Sequence, residues 1–383
     1  MFQRFIHPGY LSHRLSREIK EMYFSKAVAD FAQAAMMLFE PVYMVSILNF
    51  SLRQVLMFYI AVYVLYWLLI PFGAKIAARK GYEHSIFYST FFQVLYWAFL
   101  FGSQHTPLLI FFAPLMYAWQ KSLFWPAFHS DMARFSNQDQ RGRENSGLYA
   151  LISLVYIIGP FIGGWILQDM GFRALFALVS ILTIGSVIPL FTTIEQFIPK
   201  PYLYTDSWKL FRNFPGQAMG YVGYGEELVQ LVVWPIFIYM TVPDYFKFGT
   251  IISISTLIAT LVMLYVGVLT DLSGKRVLIR YFSSLNGLFW AIRPFFPAVT
   301  GLLATNTLGT ITKNSLTIPV AAMTYDRANE THILPYCVFY EQALSIGKIL
   351  ICVLILVATL FSSGFVAAFT LAGLFSLLYS KLK

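Results

Sequence analysis

The sequence predicts an all-α membrane protein of twelve transmembrane helices in two halves of six. Three observations predict it: an apolar composition, a succession of apolar runs of membrane length, and an uneven distribution of Lys and Arg between alternate loops. Of 383 residues, 58% are hydrophobic and 12% charged, whereas soluble domains carry about a quarter charged residues. A span needs about 20 apolar residues, so twelve take up roughly 250. Short loops fit in the remainder, and a separate soluble domain does not.

The apolar runs fall at about 23–48, 54–72, 85–101, 107–128, 146–167 and 172–191, then at 218–240, 248–268, 277–297, 299–323, 334–361 and 364–379. A polar connector, 196–217, divides an N-terminal half (1–195) from a C-terminal half (218–383). In the connector Trp208, Leu210, Phe211 and Phe214 interleave with Lys209 and Arg212. That pattern suits either a short helix on the membrane face or a plain linker. Residues 1–20 are basic and amphipathic without a cleavage pattern, and read as a lead-in helix rather than a signal peptide. Cys337 and Cys352 share one apolar run and read as small core residues, not a disulfide or a metal pair.

Charge counting orients the chain. With both termini inside, eighteen Lys and Arg fall in inside segments and three (Arg53, Arg173 and Lys247) in outside loops. The positive-inside bias therefore places both termini and the connector in the cytoplasm. It also accounts for the net charge of +9: the basic residues are scattered over short loops, so no nucleic-acid partner is expected. A plasma membrane, or a bacterial inner membrane, is the expected location.

Between the eighth and ninth runs stands G-V-L-T-D-L-S-G-K-R, Gly267 to Arg276. Glycines permit close packing or positive φ in such a turn, and Asp271 supplies a capping carboxylate. A weaker copy lies between the second and third runs, with Ala74 where the later loop has Gly267, Ala78 where it has Asp271, and Gly81 where it has Gly274. The equivalent placement supports an internal repeat. Arg141-Gly142-Arg143 opens the fifth run, which contains Gly159, Pro160, Gly163 and Gly164, and Gly171-Phe172-Arg173 precedes Phe176.

In combination these motifs resemble the major facilitator superfamily (MFS) over essentially the whole chain. The resemblance implies two six-helix bundles related by pseudo-symmetry about the membrane normal, a mid-membrane cavity, and alternating access. It implies that Gly267, Asp271, Gly274, Lys275 and Arg276 form a gating loop. It further implies that the first, fourth, seventh and tenth spans line the cavity, with a contribution from the eleventh. The fourth run lacks the Arg usual before Trp125-Pro126-Ala127 in drug/proton antiporters of the family, and Val155 replaces an earlier glycine of their fifth-span motif. Antiport is accordingly a lean.

Ionisable groups in hydrocarbon cost several kcal/mol and usually face an interior cavity. Lys26, Arg280 and Arg293 lie near run ends, where snorkelling is expected. Asp30, Glu40, Lys121, Glu226, Glu227, Lys313, Glu341 and Lys348 fall on the first, fourth, seventh, tenth and eleventh runs. With Asn306, which shares a helical stripe with Lys313, they are the candidate substrate- and proton-binding residues. The alternative is structural: Glu227 or Glu341 paired with Lys313 or Lys348 would tie helices together. Glu226 and Glu227 are adjacent, so they are expected to point apart, and at most one is expected to carry a proton. Lys121 has Tyr117, Trp125 and His129 at helical spacing, an arrangement for an amphipathic or anionic substrate or for simple packing. Glycines 220, 223 and 225 precede Glu226 and suit a bend. His129 and Asp131 suggest at most an intramembrane transferase dyad, without a second catalytic motif; a loop charge contact is the simpler expectation.

The expected function is a secondary active transporter of a small organic solute, proton-coupled, with a lean to efflux. It is expected to be monomeric, to need no cofactor or metal, and not to be an enzyme. A non-transporting membrane receptor or assembly partner is the alternative, motivated by Ala78.

Overall fold

The structure, a computed structural model, describes residues 17–135, 142–188, 202–270, 274–361 and 364–382. Helices run through every predicted apolar segment, and no strand occurs among the described residues. The first segment forms α1 (Arg17–Met36) and α2 (Phe39–Ser46). Then come α3 (Leu52–Lys80), α4 (Tyr82–Gly102), α5 (Ala113–Phe135) and α6 (Gly142–Ser186). The connector holds α7 (Tyr204–Asn213), and the seventh segment breaks into α8 (Pro215–Val222), α9 (Gly225–Leu228) and α10 (Trp234–Thr241). The remainder comprises α11 (Tyr245–Thr270), α12 (Lys275–Ile292), α13 (Val299–Glu330), α14 (Ile333–Ala358) and α15 (Gly364–Leu378).

Six of these, α3, α4, α6, α11, α14 and α15, contain a stretch long and apolar enough to cross a membrane. The other segments of the twelve expected fall short for a physical reason. Among the described residues the first and seventh are divided into shorter helices, and α5, α12 and α13 intersperse polar and charged residues, Lys121, Arg280 and Lys313 among them. Charged side chains lower a helix's hydropathy without preventing its burial among more apolar neighbours.

Turn chemistry explains the element ends. Ser51 caps α3, its Oγ accepting from the Gln54 N–H while Gln54 Oε1 accepts from the Ser51 N–H. Gly81, at φ 108°, turns α3 directly into α4, in a conformation only glycine adopts cheaply. Gly171, at φ 76°, does the same inside α6, separating the fifth and sixth predicted runs with a single residue. Gly274 differs from expectation: it is an extended N-cap at φ −64° with open space around it, so neither positive φ nor close packing explains it.

The connector helix α7 is amphipathic. Leu210 and Ser207 are buried, Trp208 is exposed, and Phe211 packs edge-on against Phe339 of α14 at 5.0 Å or less between centroids (4.8 Å). Helix rather than plain linker is therefore the outcome there.

The part of the chain before the connector meets the part after it along a long seam. α6 packs against α11, and α3 and α5 against α14. At the first contact a Cβ on Gly164 or Gly249 would overlap the backbone of the facing helix. The same glycine-proline motif presents Gly159 and Gly163 to α1, where a Cβ would overlap Ala34 and Ala35. At the end away from the connector, Phe172 and Phe176 flank Tyr43, Phe172 meets Tyr245, and Phe39 meets Phe248. There Tyr245 donates to Ser46 Oγ (3.2 Å), and Arg53 reaches Thr359 through Nη2 to its carbonyl (2.8 Å). At the connector end Asn329 Nδ2 donates to the Ala133 carbonyl (3.0 Å). The seam is thus bridged at both ends.

Candidate functional site

The charged side chains sort into three groups. The first lies wholly after the connector and begins at the broken seventh segment. α8 ends at Val222, and past α9 the helix widens into a π turn over Val229–Val233. The predicted bend is real, and Glu226 and Glu227 sit in it. As expected for neighbours on a helix, they point apart.

Glu226 is buried and fully engaged. It is paired with Lys313 Nζ, accepts from Trp290 Nε1 (2.9 Å) at one oxygen, and accepts from Tyr379 OH (3.3 Å) at the other. Lys313 also donates to Tyr379 OH (3.1 Å) and lies over the Tyr224 ring. Beside them Arg293 is 1% exposed, which overturns the snorkelling expected of it. Its guanidinium stacks between Trp290 (3.7 Å) and Trp234 (4.4 Å) and donates to Gln230 Oε1 (2.8 Å). Gly309 makes room for it, since a Cβ there would overlap the guanidinium. Asn306 Oδ1 accepts from Trp234 Nε1 (2.8 Å). Glu226, Lys313 and Asn306 therefore belong to one aromatic-lined brace joining α9, α12, α13 and the turn that follows α15.

The second group straddles the seam. Lys348 of α14 pairs with Glu227 at 2.7 Å. Its ammonium lies 5.1 Å from the Tyr63 ring of α3, and Lys121 of α5 lies 5.5 Å from the same ring and 4.3 Å from that of Tyr117. Two cations, one from each part of the chain, therefore share one tyrosine. Glu40 is nearby but occupied: Tyr96 OH (2.7 Å) and Trp97 Nε1 (3.2 Å) each donate to one of its oxygens, and Tyr96 stacks on Tyr117. Glu227 is only half-buried, with 31% of its side-chain surface accessible.

Closer to the connector end of the seam, Glu341 of α14 accepts from Tyr66 OH of α3 (2.7 Å) and contacts His129 Nε2 of α5 (3.0 Å). His129 Nδ1 is hydrogen-bonded to Tyr325 OH of α13 (3.0 Å), and its ring stacks on Trp125. His129 is the seam residue the sequence underrated; its signal was its position two helical turns from Lys121 on one face of α5.

Asp30 stands apart as the third group, paired with Lys26 one turn away at 2.6 and 2.8 Å, with Lys26 over the Phe128 ring. Lys26 is therefore partnered within α1 rather than simply snorkelling. In the loop expected to act as a gate, Lys275 pairs with Asp326 of α13 (2.6 Å) and Arg276 is exposed. Asp271 lies outside the described residues, and of Gly267 only its place in α11 is described. Cys337 and Cys352 are buried and free. Among the described residues no group of three His, Cys, Asp or Glu is placed to hold a metal.

Comparison with protein families matches residues 22–215, half of the chain, to the description Major Facilitator Superfamily. The chain belongs to that superfamily. No individual curated protein matches it. The match runs from α1 to the start of α8, so it rests on the part whose signature loop is degraded, while the intact loop at Gly267 to Arg276 lies beyond it. Membership and the apolar helices together make this MFS protein an integral, multi-pass membrane protein. They imply a transporter of the superfamily, whose members are typically not enzymes.

Proposed function

We propose that this MFS protein is a secondary active transporter that moves a small organic solute along the seam by alternating access. In this reading twelve spans form two six-helix bundles, 1–195 and 218–383, joined by the connector 196–217. The protein works as a monomer in the plasma or bacterial inner membrane, with both termini cytoplasmic. The carrying observation is the meeting of Lys121 and Lys348 on Tyr63, with the partly accessible Glu227 beside them. Charges from both parts of the chain at one point of contact are what a site opened alternately to either side requires. An ion pair drawn out of water costs desolvation that its attraction only partly returns, and one whose carboxylate keeps accessible surface is suited to exchanging its partner for a solute.

Proton coupling is assigned to the acids of the seam, Glu227 and Glu341, with efflux as the favoured direction. Glu341 has a titratable neighbour in His129 and hydroxyl partners on either side, Tyr66 directly and Tyr325 through the imidazole. A proton moving within this group would change the bonds that hold α3, α5 and α14 together. The receptor alternative has one observation in its favour: Ala78 is 3% exposed, so the first loop has no carboxylate and little space for one.

The test is flux in proteoliposomes for a solute chosen by thermal-shift screening, since a ligand of the folded state raises its melting temperature. Wild-type protein is expected to transport the solute, and Glu227→Gln to lose at least about tenfold in flux, the loss of one charge-assisted contact, while remaining folded. Wild-type flux in that variant would remove the seam from the mechanism. Binding without flux in the wild type would favour the receptor.

A further inference from the structure

Lys121 is a buried cation in no direct ion pair among the described residues. It is 9% exposed, and among the described residues no carboxylate forms an ion pair with its ammonium, although Glu40 and Glu227 lie within reach of its charge. What it has instead are two ring faces, Tyr117 and Tyr63. The acids in its neighbourhood are engaged elsewhere: Glu40 with Tyr96 and Trp97, Glu227 with Lys348. Burying an ammonium costs more than two aromatic faces return. A fold that leaves such a group unpaired while pairing Lys26, Lys313 and Lys348 is a fold missing an anion at that point.

The second cation fixes where the anion sits. Both ammonium groups contact the Tyr63 ring, so they are no more than about 11 Å apart. Lysine ammoniums ride on flexible four-carbon stems with three donors each, and two of them can converge on one carboxylate. The surroundings define the rest of the ligand. Tyr63 of α3 and Tyr117 of α5 turn their rings to the ammoniums, and Trp125, one turn along α5 from Lys121, is partly accessible. We propose that the solute of this transporter is an organic carboxylate with an aromatic body, its carboxylate held by Lys121 and Lys348 beside Tyr63.

This inference rests on the transporter reading for its location and adds the charge of the ligand. It carries a consequence for Glu227. A carboxylate arriving at Lys348 competes with Glu227 for the same ammonium, so bound solute and the Glu227–Lys348 pair are alternatives rather than companions. Lys121 acts as the fixed half of the site and Lys348 as the half that changes partner.

The experiment uses the full chain in nanodiscs and two matched probe pairs, benzoate against benzylamine and indole-3-acetate against tryptamine. At least one carboxylate is expected to raise the melting temperature while its amine does not. Lys121→Gln is expected to weaken that carboxylate by about tenfold or more, as for loss of a charge-assisted bond, and Lys121→Arg to retain it. Because Lys121 forms no ion pair among the described residues, its neutralisation should leave the ligand-free melting temperature unchanged or raised. Equal stabilisation of wild type and Lys121→Gln by the carboxylates, or stabilisation by neither carboxylate, overturns the proposal. If the amines bind instead, in a Glu227-dependent manner, the anionic ligand is wrong and the transporter reading stands. If carboxylates bind through Lys121 but the protein moves no solute, the site stands and the transporter reading falls.

Discussion

Glu226 and Glu227 differ by one position and serve different purposes. Glu226 faces a closed set of donors, Lys313, Trp290 and Tyr379, and every one of them comes from the same part of the chain. Glu227 faces the seam and keeps accessible surface. Removing one member of a buried pair leaves the other uncompensated, at a cost of about 3–5 kcal/mol. Glu226→Gln and Lys313→Met are each expected to lower the melting temperature of the purified protein sharply. The double variant should be more stable than the two losses summed, since neither charge is then stranded. A double-mutant cycle by thermal unfolding checks this; additive losses would mean that the two groups do not depend on one another. Sequence reasoning located all four carboxylates and lysines concerned but left their pairing open, because partner choice depends on helix rotation that periodicity does not fix. Arg293 was misjudged for a related reason. Its position near the end of an apolar run suggested snorkelling, whereas Trp234, from a distant segment, folds over it and keeps it inside.

At the scale of helices, apolar run length was a strong signal because every apolar segment had to satisfy its backbone internally, and helices duly occupy them all. Glycine turns were less legible. Gly81 and Gly171 require positive φ, but Gly274, at the corresponding place in the repeat, does not. The glycines of α6 and α11 act through close approach instead. A Cβ on Gly249 would overlap the Pro160 carbonyl, whereas one on Gly185 meets nothing within 4 Å. Gly249→Ala is therefore expected to cost about 1–3 kcal/mol by overpacking the seam. Gly185→Ala should be neutral or stabilising by about 0.5–1 kcal/mol through helix propensity. Melting curves of the two variants side by side test this, and a silent Gly249→Ala would show that α6 and α11 are not in backbone contact there. The break of the seventh segment was also readable from its glycines. Its π turn was not, because that depends on how Trp234 and its neighbours pack.

For the whole molecule, polar contacts cross the seam at both ends, on either side of Glu227 and Lys348. Tyr245 with Ser46 and Arg53 with Thr359 hold one end; His129 with Tyr325 and Glu341, and Asn329 with Ala133, hold the other. A transporter must release one set while keeping the other. Few long-range polar bonds serve each end, but opening one must also part apolar contacts such as Phe39 with Phe248 and Phe172 with Tyr245. The central claim is that the two ends open in alternation about Tyr63, Lys121 and Lys348. Spin-label distance measurements in nanodiscs test it most directly, with one pair at His105 and Leu360 and the other at Lys80 and His332, all exposed positions. Varying pH, with and without benzoate, should populate two distances for each pair. The conditions that lengthen the first should shorten the second. A single distance at both pairs under every condition, or the two lengthening together, would contradict alternating access.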